Sequence, residues 1–178
     1  MRLQRRKVLI GGLGGLACLA SFRHAGATLA LDASELSFYH IHTAEKLSVT
    51  YRENGQLVPD ALAAVSHFLR DFRTGQAHAI DVDLLDTLSL LHEAADRRGH
   101  FEIISGYRSP RTNAALREVT SGVAENSLHI KGRAVDVRST GIKTAQLRAA
   151  ALELARGGVG YYPESNFVHL DTGAFRTW

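Results

Sequence analysis

Three side chains able to ligate a metal fall in two short segments. His129 and Asp136 lie in Ser127-Leu128-His129-Ile130-Lys131-Gly132-Arg133-Ala134-Val135-Asp136, and His169 in Phe167-Val168-His169-Leu170-Asp171. Two imidazoles and a carboxylate, with a fourth position open for water, form a donor set suited to catalytic zinc. Residue alternation supports convergence. Val135 and Val137 share one face of a strand, while Ala134, Asp136 and Arg138 share the other. Val168 and Leu170 face a core, while Phe167, His169 and Asp171 face away from it. The apolar residues would anchor two strands and leave the polar ones to share a site. Spacing alone does not decide the matter, because the chain has nine histidines and most of them must be structural.

Other catalytic designs fit poorly. The Ser-x-x-Lys pair of penicillin-binding serine enzymes is missing. His92-Glu93-Ala94-Ala95-Asp96 misses the His-Glu-x-x-His zinc helix at its fifth position and falls on an amphipathic segment, so it reads as solvated helix surface. The single cysteine, Cys18, lies in an apolar N-terminal run, which leaves the remainder without a thiol nucleophile or a disulfide.

That run belongs to an expected export signal over residues 1–27. Arg5, Arg6 and Lys7 precede an uncharged stretch from Val8 to Phe22, and Ala25-Gly26-Ala27 offers a small-x-small cleavage site. The stretch is glycine-rich and shorter than the ~20 residues needed to span a bilayer. The paired arginines before so weak an apolar segment point to the twin-arginine route into the periplasm, although Val8 stands where an aromatic is usual. A rival reading makes Cys18 a lipid-attachment site for an outer-membrane lipoprotein, but it leaves the cleavage site unexplained. Five of the 21 basic residues and none of the 18 acidic ones precede Thr28, leaving 16 against 18 and a formal charge of −2 beyond it. The basic balance thus belongs to the signal. No basic stripe with interleaved aromatics remains for nucleic acid, and no stable membrane insertion is expected once the signal is cleaved.

Residues 28–178 are enough for one domain with a single core. Alternation predicts strands over Leu36–His42 and Lys46–Arg52, then a turn at Asn54-Gly55. Asp60 is placed to cap a helix with Leu62, Val65, Leu69 and Phe72 on its apolar face. A second helix is predicted from Asp83 to Arg98, with Gly99 as its stop. Phe101–Ser105 reads as a buried strand, Gly106–Arg111 as a turn, Asn113–Glu118 as a short helix and Thr120–Ser127 as a loop. Strands over Ala134–Arg138, Val159–Tyr162 and Phe167–Leu170, with a helix over Thr144–Arg156, complete an α+β domain: a small antiparallel sheet with flanking helices.

The combined pattern Ser-x-His-x-x-Gly-x-Ala-x-Asp with a downstream His resembles the zinc D-alanyl-D-alanine peptidase family, whose fold is shared with hedgehog signalling domains. Ser127, His129, Gly132, Ala134 and Asp136 match it, as does Ser105-Gly106-Tyr107-Arg108-Ser109 upstream. The resemblance extends through Gly157-Gly158-Val159-Gly160-Tyr161-Tyr162 to Trp178, and is strongest to the small periplasmic branch typified by murein endopeptidase K, formerly a domain of unknown function. It implies Zn2+ held by His129, Asp136 and His169, peptidoglycan as substrate, and Arg108 facing the substrate, where a guanidinium suits a stem-peptide carboxylate. Ser127 would bind substrate or orient its loop. Many relatives carry a carboxylate three residues before the last ligand as general base, whereas this chain has Asn166. Asp171 is the leading substitute; a carboxylate that orients a ligand imidazole is its other reading, and His42 or His67 could supply a base instead. The implied activity is hydrolysis of peptide cross-links, with 3-3 diaminopimelate links the expected target. The alternatives are a D,D- or L,D-carboxypeptidase and a metal-bearing cell-wall-binding module that does not cut.

Overall fold

The computed structural model describes residues 33–120 and 122–178. The export signal and Cys18 lie outside the described residues.

One sheet of eight strands carries the domain, in the order β3-β2-β1-β4-β5-β7-β6-β8. These are β1 (Ser34–His40), β2 (Lys46–Glu53), β3 (Gln56–Leu57), β4 (Phe101–Ser105), β5 (Ala134–Ser139), β6 (Gly158–Tyr162), β7 (Phe167–Asp171) and β8 (Arg176–Thr177). Among the described residues four α-helices accompany it: α1 (Pro59–Phe68), α2 (Val82–Ala94), α3 (Pro110–Val119) and α4 (Thr144–Leu154). The α+β expectation holds, but the sheet is neither small nor purely antiparallel. β1 runs parallel to β4, and β6 to β8. α1 and α2 lie between β1 and β4 in the chain, a crossover long enough to return the strand in the same direction.

One face of the sheet builds the core. Leu36, Phe38, Ile103, Val135, Val137, Val168 and Leu170 are buried with Val65, Phe68 and Leu69 from the α1 region, Leu84, Leu85, Leu88 and Leu91 of α2, and Leu147 and Ala151 of α4. Burying each large aliphatic side chain contributes about 1.5–3 kcal/mol.

Several expected boundaries shift for identifiable reasons. Pro59 occupies the first turn of α1 and Val58 is its N-cap, so Asp60 sits inside the first turn, where its charge complements the helix dipole. α2 starts behind Asp81, whose side chain accepts from the Asp83 amide, and ends at Ala94. Asp96 and Arg97 then take positive φ before Gly99 is reached, so Gly99 is not the stop. α3 is longer than expected because Ser109 caps it with a hydrogen bond from the Thr112 amide and Pro110 follows at the first turn. β3 and β8 have two residues each, too short for alternation to reveal.

Candidate metal centre

The centre is assembled from three places. Asp136 on β5 and His169 on β7 are direct partners in the antiparallel ladder, so their side chains stand next to each other on the face away from the core. His129 comes from a one-turn 3-10 helix, Leu128–Lys131, just ahead of β5. Ser127 caps this turn by accepting from the His129 amide at 3.3 Å, and Gly132 ends it at φ 64. A Cβ at Gly132 would lie 2.1 Å from the Ala79 carbonyl oxygen, so only glycine allows the turn to pack there.

Three atoms converge. His129 Nε2 is 3.4 Å from Asp136 Oδ1 and 3.3 Å from His169 Nδ1, and His169 Nδ1 is 2.9 Å from Asp136 Oδ1. Tetrahedral ligands bound to zinc at about 2.0–2.1 Å would be separated by about 3.3 Å. The remaining ring nitrogens also have acceptors. His129 Nδ1 lies 2.7 Å from the Gly106 carbonyl oxygen, and His169 Nε2 lies 3.0 Å from Asp171 Oδ2. A proton on each of these outer nitrogens leaves both inner nitrogens with a lone pair directed at a carboxylate oxygen. Three electron-pair donors, two of them buried, facing one another are suited to a cation between them. The residues present therefore fit a metal ion.

For Asp136 and His129 the electrostatics agree, while His169 holds a proton more readily than a free imidazole. Burial opposes ionisation of Asp136, but His129 and His169 outweigh it and hold the carboxyl far below the usual range. Burial pushes His129 down. Burial also works against protonation of His169, yet Asp136 and Asp171 together raise it.

Each remaining sequence candidate has a definite place. Arg108 lines the cleft in front of the centre, donating from Nη2 to Asp136 Oδ2 at 2.5 Å and from Nε to Ser105 Oγ at 2.9 Å. An irregularity in the β4–β5 ladder between Ile103 and Ser105 brings Ser105 opposite Asp136, which lets one guanidinium reach both. Ser127 also lines the cleft. Asp171 is fully buried at its side chain and saturated: besides His169 it takes Arg176 at 2.6 and 3.0 Å and the amides of Gly158 and Gly173. Burial opposes its ionisation, but these partners hold it far below the ordinary carboxylate range. Asn166 stands away from the cleft lining. It has φ 52 in the turn joining β6 to β7, and its Oδ1 accepts from Thr144 Oγ1 at the start of α4. His42 lines the cleft, and His67 on α1 does not. Glu93, at the end of α2, pairs with Arg97 just beyond it on the surface.

Sequence reasoning missed an aromatic wall and a buried anchor. Tyr162 and Phe167 stack at 4.5 Å between ring centres, Trp178 donates its indole N–H to Tyr162 Oη at 2.8 Å, and the Trp178 ring lies 5.2 Å from His169. With the segment after α3, these rings help line a cleft of about 550 Å³. The anchor is Asp71. Its Oδ2 accepts from the Ser109 hydroxyl at 2.6 Å and the Ser109 amide at 3.0 Å, tying down the loop that carries Arg108. The Ser109-Pro110 pair was a readable cap signal, whereas nothing local announces Asp71, 38 residues away.

Burial opposes ionisation of Asp71, but the hydrogen bonds from Ser109, Thr112 and the Arg73 amide outweigh it and lower the carboxyl to about 2. The native value lies below the unfolded one of about 3.9, so this stabilisation is complete above about pH 4 and is lost as pH falls through 2. Denaturant unfolding of the wild type should therefore weaken across that window. Asp71→Asn should lower stability at pH 7 by about 2 kcal/mol and flatten the acid slope; an unchanged slope would count against the anchor.

Comparison with known sequences adds an independent line. The family described as peptidoglycan L,D-endopeptidase MepK, of the M15 peptidases, matches residues 28–178. The chain is 40% identical over 177 residues to peptidoglycan L,D-endopeptidase MepK of Escherichia coli K12, covering 98% of this chain and 96% of that one. The protein of the same name from Shigella flexneri gives the same figures. The probable peptidoglycan L,D-endopeptidase MepK of Haemophilus influenzae is 42% identical over 144 residues, 80% of this chain and 77% of its own.

Proposed function

The chain belongs to the MepK family of peptidoglycan L,D-endopeptidases, and from that premise we propose that it cuts peptide cross-links between stem peptides using zinc held by His129, Asp136 and His169. The observation that carries the ligand set is the convergence of three lone-pair donors at near-tetrahedral separations. The hedgehog/D-alanyl-D-alanine peptidase fold is part of the same reading, as is a division into an export signal over residues 1–27 and a catalytic domain over 28–178. The substrate lies outside the cytoplasm, in keeping with periplasmic export. Among the described residues, no helix is long and apolar enough to cross a membrane.

Bound zinc supplies Lewis acidity toward a peptide carbonyl and toward water. The chain's own groups prepare that chemistry. The Gly106 carbonyl and the Asp171 carboxylate stand ready to accept from the outer nitrogens of the two imidazoles, which would leave the inner nitrogens to hold the metal. Arg108 neutralises the outer oxygen of Asp136 and turns the rest of its guanidinium toward the cleft, where a substrate oxygen or carboxylate is its natural partner. Ser127 acts through the turn it caps. Asp171 we assign to orienting His169, because a fully buried carboxylate already paired with Arg176 and two amides has little capacity left to accept a proton. The bond most in keeping with the family is the 3-3 link between diaminopimelate residues. The cleft shares Arg73 and Leu116 with a neighbouring groove, which supports an extended substrate.

The test is digestion of purified cross-linked muropeptides by residues 28–178. Cross-linked dimers should disappear, a zinc chelator should stop the reaction, and added zinc should restore it. Dimers left intact by protein with bound zinc would overturn the hydrolytic reading.

A further inference from the structure

Three arginines line the cleft: Arg73, Arg108 and Arg176. Arg108 is paired with Asp136 and Arg176 with Asp171. Arg73 has no carboxylate partner among the described residues, yet it is firmly held. Its amide donates to Asp71 Oδ1 at 3.0 Å, so the buried carboxylate that anchors the Arg108 loop also anchors Arg73. The turn it occupies is closed by hydrogen bonds from the Thr74 and Gly75 amides to the Asp71 carbonyl and from the Asp71 amide to Gln76. Its guanidinium lies 4.2 Å from the centre of the Phe72 ring, and that ring is stacked at 4.2 Å and 16° on His42, another residue of the cleft. A cation–π contact at an exposed site contributes about 0.5–1 kcal/mol and limits the rotamers an unpaired arginine would otherwise sample.

An exposed guanidinium on an anchored turn, braced by the Phe72 ring and without a carboxylate partner among the described residues, at the junction of the cleft with a groove that also contains Arg111, is suited to an external anion. Resting on the peptidoglycan reading above, we propose that Arg73 is a specificity residue that receives a free carboxylate of the cross-linked stem peptide, away from the bond that is cut. Arg108 has already committed two of its nitrogens to Asp136 and Ser105, so Arg73 is the better placed of the two for such a carboxylate. A bidentate pair with a planar carboxylate is the geometry only arginine offers.

The experiment compares wild type, Arg73→Gln and Arg73→Lys, all zinc-loaded, on a purified cross-linked dimer and on the same dimer with its free carboxylates converted to carboxamides. Arg97→Gln, an equal change of charge just beyond α2 and outside the cleft, is the control. On the free-carboxylate dimer, Arg73→Gln should raise KM about tenfold with kcat within about twofold, and Arg73→Lys should recover part of the loss. On the carboxamide dimer, wild type and Arg73→Gln should be equal, and Arg97→Gln should behave as wild type on both. An unchanged KM in Arg73→Gln, or the same deficit on both dimers, overturns the proposal. Melting curves and zinc content guard against a folding defect, and if Arg73→Gln does not fold, the Lys variant carries the comparison. If the wild type cuts neither dimer, the hydrolytic reading is what has failed. Arg73 is then decided by calorimetric titration of the two dimers: a carboxylate-dependent loss of affinity in Arg73→Gln upholds it, and equal affinities overturn it.

Discussion

Asp136→Asn is expected to give a folded chain that no longer retains zinc and hydrolyses cross-linked muropeptides at least about a thousandfold more slowly, since a metal supplies several kcal/mol of charge stabilisation and each 1.4 kcal/mol is tenfold in rate. The substitution keeps the shape of the side chain and removes the one formal negative charge among the three converging donors. The new amide can still meet its neighbours, donating toward a ligand imidazole and accepting from Arg108 through its oxygen, so the strands it joins keep their pairing. Thermal melting separates loss of the site from loss of the fold. Zinc at a hundred times its Kd stabilises a binding-competent chain by about 2.7 kcal/mol, so the chelated wild type should gain several degrees in Tm on adding zinc and the variant almost none. Stoichiometric zinc in Asp136→Asn would remove Asp136 from the ligand set.

What the sequence disclosed and what it withheld follow a physical line. Asp136 and His169 were legible because strand alternation exposes which residues share a face, and apolar partners such as Val135 and Val168 declare which face is buried. His129 was legible through the motif around it, since Gly132 must take φ 64 beside Ala79. Strand direction leaves no such trace. Alternation is identical in parallel and antiparallel ladders, so the parallel β1–β4 and β6–β8 pairs were invisible. Nor does any local pattern mark Asp71, Arg73, Arg176 or Trp178, whose roles arise from contacts with distant segments or from the bend that returns β8 alongside β6. Asn166 shows the opposite hazard. Its position relative to His169 suggested a vacated catalytic place, but the backbone there is a left-handed turn and the side chain secures α4. In this chain that position serves the β6–β7 connection.

Asp171→Asn discriminates between orienting and proton-accepting roles for the second carboxylate of the cleft. In the orienting role Asp171 would act only through His169, on the nitrogen opposite the one that faces Asp136. Removing its charge makes His169 a poorer ligand and loosens its tautomer, an effect that typically costs 10–100-fold in metal affinity. It also leaves Arg176 without its anion, but that guanidinium is nearly half exposed, so solvent screens the loss and it costs about 1 kcal/mol. The variant should therefore melt a few degrees lower and lose activity at limiting zinc. At saturating zinc, however, its kcat should return to within about tenfold of wild type, because the groups facing the substrate are intact. A proton acceptor would behave differently: zinc would bind with nearly wild-type affinity, while kcat would stay depressed by about 10²–10⁴ at any zinc concentration. Arg176→Gln provides the second arm. An orienting carboxylate relieved of its guanidinium should lose stability and little else, whereas a general base relieved of the same charge should rise in pKa and shift the acid limb of the kcat profile upward. Wild-type zinc affinity together with a zinc-independent loss of kcat in Asp171→Asn would make Asp171 the base and leave His169 to be oriented by other means.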